Sequence, residues 1–321
     1  MRLKEIGEFG LIERLKDFQA EGALKAIGED CAVFPMEKGV LLFTTDTMLE
    51  GVHFKREYAS PWHIGFKALS VNLSDIAACG GRPLFYLVAL TVSPEEEVGF
   101  VEELYRGMKE AGDRFGAGLL GGDLSRGDRL SVTIALIGIA EEDKWVPRDG
   151  AEVGQWIYVS GYLGESALGL RLLQMGHKEG PFVRRHLLPE PRVPLGIELA
   201  KGHLASAMID ISDGFLKDLG HLLEASAVGA EVYVDRLPLS EPMKETAKAY
   251  GMDPIALALS GGEDYELLFT SPLPEGVLQE LGAKLGVPIT AVGRTVTSGL
   301  TLIRGGEPWT FEGERGFDHF G

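Results

Sequence analysis

The chain is poor in cysteine: only Cys31 and Cys79 occur in 321 residues. They lack the spacing of metal ligands, so no disulfide framework or zinc site is expected and both read as small core residues. Basic residues are also scarce, 31 Lys and Arg against 48 Asp and Glu, for a formal net charge of −17. Such a surface repels a nucleic-acid backbone unless a local basic patch outweighs it, and the sequence carries no such patch. No run of about eighteen apolar residues is present, which excludes a helical membrane span. The opening MRLKEIGEFG lacks the apolar core of a secretory signal, so a cytoplasmic location is expected. Missing too are the Gly-Lys-Ser/Thr of a P-loop and a G-x-G-x-x-G after a strand, which sets aside the P-loop and Rossmann enzymes.

What remains is a globular composition, 45% hydrophobic and 25% charged. At this length two domains are expected. The polar connector Glu141 to Gly150 marks the boundary, giving units 1–140 and 141–321. Helical spacing is expected over Leu3 to Phe18, from Ser60 to Gly80 behind a Ser-Pro start, over Glu95 to Phe115 and over Glu165 to Gln174. Strands are expected at Val40 to Phe43, Leu84 to Val92, Leu130 to Ala140 and Trp156 to Ser160. The segment Glu179 to Val193, rich in Pro and Arg, reads as an ordered loop.

Acidic residues recur at the joints of these elements. Val40 to Phe43 reads as a strand delivering Thr44, Thr45 and Asp46 to its carboxyl end, where open α/β sheets place ligands. Asp30 follows Gly28-Glu29 and enters another strand, as a turn former or as a ligand. Asp75 lies beside the core-facing stripe of its helix, where an uncompensated charge costs several kcal/mol and calls for a partner or a metal. Asp123 follows Gly121-Gly122, a pair suited to a tight bend or a close backbone approach. Ala207 to Gly214 reads as a short strand, Asp210, Ser212 as helix N-cap, then Asp213. A helix N-terminus of this kind can hold phosphate through its amides, and simple capping is the bland alternative. Gly261-Gly262 carries Glu263 and Asp264 into a further strand. Oxygen ligands without His or Cys clusters select hard cations, Mg²⁺ above all, which in turn bridge phosphates. The residues therefore point to Mg²⁺-dependent nucleotide or phosphate chemistry.

These motifs carry a resemblance. Gly7-Glu8-Phe9, Gly28-Glu29-Asp30, Thr44-Thr45-Asp46-Thr47 with His53, Asn72-Leu73-Ser74-Asp75, Gly121-Gly122-Asp123, Asp210 to Gly214, Gly261 to Leu267 and Gly316 to Phe320 resemble, in order, the signature set of the thiamine-monophosphate kinase family. The resemblance implies the aminoimidazole-ribonucleotide-synthetase-like fold: two α/β domains of α+β type, with N-terminal domains contributing strands to a barrel between the subunits of a homodimer. It implies transfer of the γ-phosphoryl group of ATP to thiamine monophosphate. Carried over by position, it assigns metal ligation to Asp30, Thr44, Thr45, Asp46, Asp75, Asp123, Asp210 and Asp213. ATP contacts fall to Tyr105, Gly122, Asp123, Arg148 and Ser212, and substrate contacts to His53, Glu263 and Phe317. The attacking phosphate oxygen is already ionised at neutral pH, so no general base and no phosphoenzyme are expected. The rivals are a sister ATP-dependent enzyme of the same fold, of purine or selenophosphate type, and an ATP-binding sensor without turnover.

Overall fold

The computed structural model describes residues 23–25, 28–141, 143–314, 316 and 317. The expected helix Leu3 to Phe18, with Gly7-Glu8-Phe9, and the end of the tail, Asp318 to Phe320, lie outside the described residues. Residues 28–141 build a five-stranded sheet from β1 (Ala32–Pro35), β2 (Val40–Leu49), β3 (Arg82–Val92), β4 (Gly118–Arg126) and β5 (Ser131–Ala140), in the order β1-β2-β5-β3-β4. Every pairing is antiparallel except β3 with β4, which are joined through a helix. Strand alternation sends Leu42, Met48, Tyr86, Val88, Leu90, Ile134 and Leu136 into the core on one face.

Two helices cover that face, α1 (Pro61–Ala78) and α2 (Val98–Phe115). Ser60 caps α1, its hydroxyl accepting from the His63 N–H, and Pro61 stands where a missing N–H costs nothing. The two helices cross with their backbones nearly touching. A Cβ on Gly107 would lie 2.0 Å from the Trp62 carbonyl oxygen, so only glycine permits the crossing.

From Trp156 onward a seven-stranded sheet forms, in the order β12-β11-β8-β10-β6-β9-β7. Its strands are β6 (Trp156–Ser160), β7 (Ala207–Asp210), β8 (Gly229–Tyr233), β9 (Leu267–Ser271), β10 (Ile289–Val296), β11 (Leu300–Arg304) and β12 (Glu307–Trp309). The helices of this half are α3 (Glu165–Gln174), α4 (Pro181–Leu187), α5 (Val193–Lys201), α6 (Phe215–Ala225), α7 (Glu241–Ala249), α8 (Pro254–Ser260) and α9 (Glu275–Leu285). The sheet is buried on both faces: Tyr158 and Phe269 join the core that runs back through α1, while Ile157, Val159 and Leu268 pack against α6. Lying between the two halves, α1 is buried nearly all round its surface, its polar residues included. No described helix is long and apolar enough to cross a membrane.

Three expectations need correction. Thr44, Thr45 and Asp46 are not at the end of a strand: β2 continues to Leu49, paired with β5 from Val40↔Ala140 to Leu49↔Ser131. Hydrophobicity falls within the strand because part of it faces a polar cavity, and a β-branched Thr suits a strand as well as Val does. The segment Glu179 to Val193 is not a loop but holds α4 and the start of α5, with Pro181 and Pro194 in first-turn positions that favour a helix. Finally, Ser212 is not a helix cap, since α6 begins at Phe215 behind Gly214.

Candidate active site

The site forms where α1, β2 and the loop before α6 meet. Near the end of α1, Asp75 Oδ2 accepts from the Thr44 hydroxyl of β2. One turn earlier Asn72 Oδ1 accepts from the Asp46 N–H at 3.0 Å, and Ser74 Oγ donates to Asp210 Oδ2 at 2.6 Å. Thus α1, using opposite sides, ties the strand carrying Asp46 to the strand carrying Asp210, and so joins the two halves of the chain. Carboxylate oxygens of Asp30, Asp75 and Asp210 lie within 4.8 Å of one another. From the interdomain connector, Arg148 Nη2 donates to Asp30 Oδ1 at 2.7 Å, and its backbone N–H donates to Glu29 at 2.9 Å.

This clustering is electrostatically adverse. Burial, then Asp46, Asp210 and Asp30, push the Asp75 carboxyl well above its ordinary value. Burial, then Asp30, raise Asp210 to about 8. Burial of Arg148 works against its charge, but Asp30 and Glu29 more than offset this and raise it. Three carboxylates this close ionise together only beside a cation. A donor set made of oxygens alone suits Mg²⁺, which favours hard ligands and keeps some of its waters.

Beside this cluster opens a cavity of about 860 Å³ between the two halves, lined on one side by Asp46, Asp75, Asp210, Ser212 and Asp213. Its other walls include His53, Tyr58, His186, Glu263, Tyr265 and Phe317. His53 Nδ1 accepts from the Leu49 N–H at 2.9 Å, so its proton sits on Nε2. Phe317 is held through its backbone, its N–H donating to the Asp213 carbonyl at 3.0 Å and its carbonyl accepting from Lys217. Glu263 and Tyr265 have φ of 65° and 50°, left-handed values uncommon outside glycine. Strain of this sort persists where the surroundings overdetermine it. Here the Glu263 and Tyr265 amides donate to the Ser212 and Ile211 carbonyls, and the Asp264 carboxylate between them accepts from the Gly164 and Ser166 amides.

Of the residues expected from the sequence, Asp46, Asp75, Asp210, Ser212, Asp213, His53, Glu263 and Phe317 line the cavity. Asp30, Thr44 and Arg148 stand immediately behind it through the contacts above. Four others lie elsewhere. Thr45 alternates with Thr44 and Asp46 and so faces the opposite side of the sheet, exposed. Tyr105 sits on α2. Gly122 and Asp123 belong to β4 at the sheet edge, Asp123 accepting from the Ser125 hydroxyl at 3.0 Å. Gly122 is needed for strand pairing, since a Cβ there would lie 1.8 Å from the Val88 carbonyl oxygen.

The sequence reading passed over several residues. The amides of Ser212, Asp213 and Gly214 are not free for a phosphate: all three donate to Asp218 Oδ2, at 3.0, 3.1 and 3.0 Å. Lys67 and His186, both buried, flank Glu263. Glu266, also buried, is held by Arg185, Arg192 and the Ser160 hydroxyl. The missed signal was the one that exposed Asp75, a charge on the buried stripe of a helix, which Lys67 on α1 and Asp218 on α6 share.

Comparison with known proteins agrees with this arrangement. Residues 28–140 match the AIR synthase related protein N-terminal domain, and residues 152–304 its C-terminal domain. The thiamine-monophosphate kinase of Salmonella typhimurium is 41% identical over 98% of both chains. That of Aquifex aeolicus is 43% identical over 85% of this chain and 88% of its own length. A solved structure described as AaThiL complexed with AMPPCP and TMP superposes with a TM-score of 0.86 at 37% identity, covering 99% of each chain. The fold, the ordered acidic motifs and these full-length likenesses establish that the chain belongs to the thiamine-monophosphate kinase family, within the AIR-synthase-related proteins.

Proposed function

We propose that the protein phosphorylates thiamine monophosphate with ATP, passing the γ-phosphoryl group directly to the substrate phosphate and yielding thiamine diphosphate and ADP. The observation that carries this reading is the trio Asp30, Asp75 and Asp210, within 4.8 Å of one another, opening on a cavity that also holds Glu263 and His53. Asp30, Asp46, Asp75, Asp210 and Asp213 would hold Mg²⁺, with the Thr44 hydroxyl ordering Asp75. Bound there, the ions supply the positive charge that lets two anionic phosphates approach in line. Arg148, fixed by Asp30, keeps a guanidinium beside the same cluster. The cavity between the two halves would orient the acceptor for the transfer step. No side chain is required as a base.

The second part of the reading is a homodimer built on the open face of the first sheet. Phe43, Phe85 and Leu87 are 36%, 44% and 43% exposed there. A contiguous apolar face of this kind calls for a partner. Asp123 is in register with Ala89, whose exposed side chain shares this face with Thr45. Their roles as metal and nucleotide ligands would then fall at the contact between subunits, with Gly122 beside Asp123 on the edge strand.

The reading is tested by incubating the protein with ATP and Mg²⁺, with and without thiamine monophosphate, and separating the products. Equal amounts of thiamine diphosphate and ADP, abolished by EDTA, are expected. ATP hydrolysis independent of thiamine monophosphate would favour a sister chemistry, and binding without turnover a sensor.

A further inference from the structure

We propose that Lys67 and His186 are positioning residues for Glu263, fixing its carboxylate as the acceptor that reads the amino group of the substrate's aminopyrimidine ring. The inference rests on the function proposed above and assigns part of its specificity.

Lys67 lies on α1, its side chain only 4% exposed, and its Nζ is 2.8 Å from Glu263 Oε1. His186 on α4, 2% exposed at its side chain, places Nδ1 3.3 Å from Glu263 Oε2. The two also face each other, Lys67 Nζ to His186 Nε2 at 3.4 Å, and Nδ1 lies 3.1 Å from the Ser166 hydroxyl. An ammonium has only donors. His186 Nε2 therefore accepts from Lys67 and the ring proton is left on Nδ1, which lies nearer to the Ser166 hydroxyl than to Glu263 Oε2. Lys67 thus bridges Glu263 and His186, joining side chains from three separate stretches of chain.

The charges agree with this order. Burial, then Lys67, lower His186 to about 3, so the ring is neutral at physiological pH. Burial alone would raise the Glu263 carboxyl, but the Lys67 ammonium more than offsets it and leaves it below its ordinary value. A carboxylate offers about four lone-pair sites. Lys67 uses one site on Oε1, leaving the others for the cavity, into which Glu263 is 24% exposed.

The left-handed backbone at Glu263, φ 65°, turns the side chain toward this pair. The amide of Glu263 is held by the Ser212 carbonyl at 2.7 Å. Residue, backbone and both flanking groups are thus fixed before any ligand arrives. A fixed anionic acceptor in a cavity with aromatic walls, Tyr58, Tyr265 and Phe317, suits a flat heterocycle bearing N–H donors. A site built to bond such a donor discriminates against the analogue that lacks it.

The test compares wild type, Lys67→Met, Lys67→Arg and His186→Asn with thiamine monophosphate and with its 4′-deamino analogue. Asn at 186 keeps a polar amide on the Lys67 side of the cluster. Wild type should show a KM for the analogue higher by about tenfold to a hundredfold, the scale of one hydrogen bond to a charged group. In Lys67→Met the KM for thiamine monophosphate should rise to match that of the analogue, while KM for ATP and kcat at saturation stay within about threefold of wild type. Lys67→Arg and His186→Asn should recover most of the discrimination. A wild type that handles both substrates with equal KM overturns the proposal, even if Lys67→Met fails to fold. So does a Lys67→Met enzyme that loses kcat and both KM values together, or that discriminates as before. A wild type inactive with thiamine monophosphate overturns the proposed function itself, which separates the two failures.

Discussion

A buried carboxylate whose proton affinity is raised in the folded chain makes stability depend on pH in a definite direction. Asp210 is raised to about 8 by burial and by Asp30. Between about pH 4 and about pH 8 the folded state keeps a proton that the unfolded state has lost, so this group's contribution declines as pH rises through that window. Mg²⁺ requires the ionised form and reverses the trend, binding more tightly as pH rises. In EDTA the thermal midpoint of wild type should therefore fall from about pH 5.5 to about pH 8 more steeply than that of Asp210→Asn, and Mg²⁺ should raise the wild-type midpoint most at the higher pH. Equal slopes for the two proteins in EDTA, or a Mg²⁺ shift independent of pH, would remove Asp210 from the metal site. At this scale the sequence was informative where chemistry and pattern conflicted. Asp75 stood out as a charge beside an apolar stripe, and its partners Thr44 and Asp210 lie 31 and 135 residues away in sequence, beyond the reach of local pattern.

Elements follow the same logic one level up. The loop before α6 has no side-chain cap of its own; Asp218, one turn inside the helix, turns its Oδ2 back onto the amides of residues 212, 213 and 214. This carboxylate takes the place that a bound anion would otherwise fill, and it fixes the turn from which Ser212 and Asp213 enter the cavity. Asp218→Ala would leave buried N–H groups unmet, at about 1–3 kcal/mol each, so a clear loss of thermal stability is expected together with weaker Mg²⁺ binding. Asp218→Asn keeps an oxygen acceptor and should lose less of both. If Asp218→Ala melted like wild type and bound Mg²⁺ normally, the turn would be set by other contacts. Most helices and strands up to Gln174 were legible because each has its own period and its own stop signals, as α1 does with Ser60 and Cys79-Gly80. The region of α4 and α5 was not, because a Pro at a helix start and a Pro in a loop look alike without the contacts that decide between them. β2 was cut short in the reading because its polar half faces the cavity rather than a core.

For the whole molecule, the α+β character could be anticipated, while the strand orders could not. A sheet in the order β1-β2-β5-β3-β4 rests on pairings such as Thr44↔Leu136, which depend on the assembled fold rather than on local sequence. The open face of that sheet has a consequence of the same rank. On one side of β3 Tyr86 and Val88 are buried, while on the other Phe85 and Leu87 are 44% and 43% exposed, the same composition with nothing among the described residues to cover it. The protein is therefore expected to sediment as a dimer. Leu87→Glu, which sets a charge at the centre of that face without touching either core cluster, should shift it to monomer while the circular dichroism spectrum is retained. If Asp123 acts in the partner's site, mixing inactive Asp46→Asn with inactive Asp123→Asn creates mixed dimers in which one site carries both aspartates. Random exchange would then restore up to about one quarter of wild-type activity, as half the dimers are mixed and one of their two sites is whole. With Asp46 and Asp123 serving the same site from one chain, every site in the mixture would lack one of them, and no activity would return.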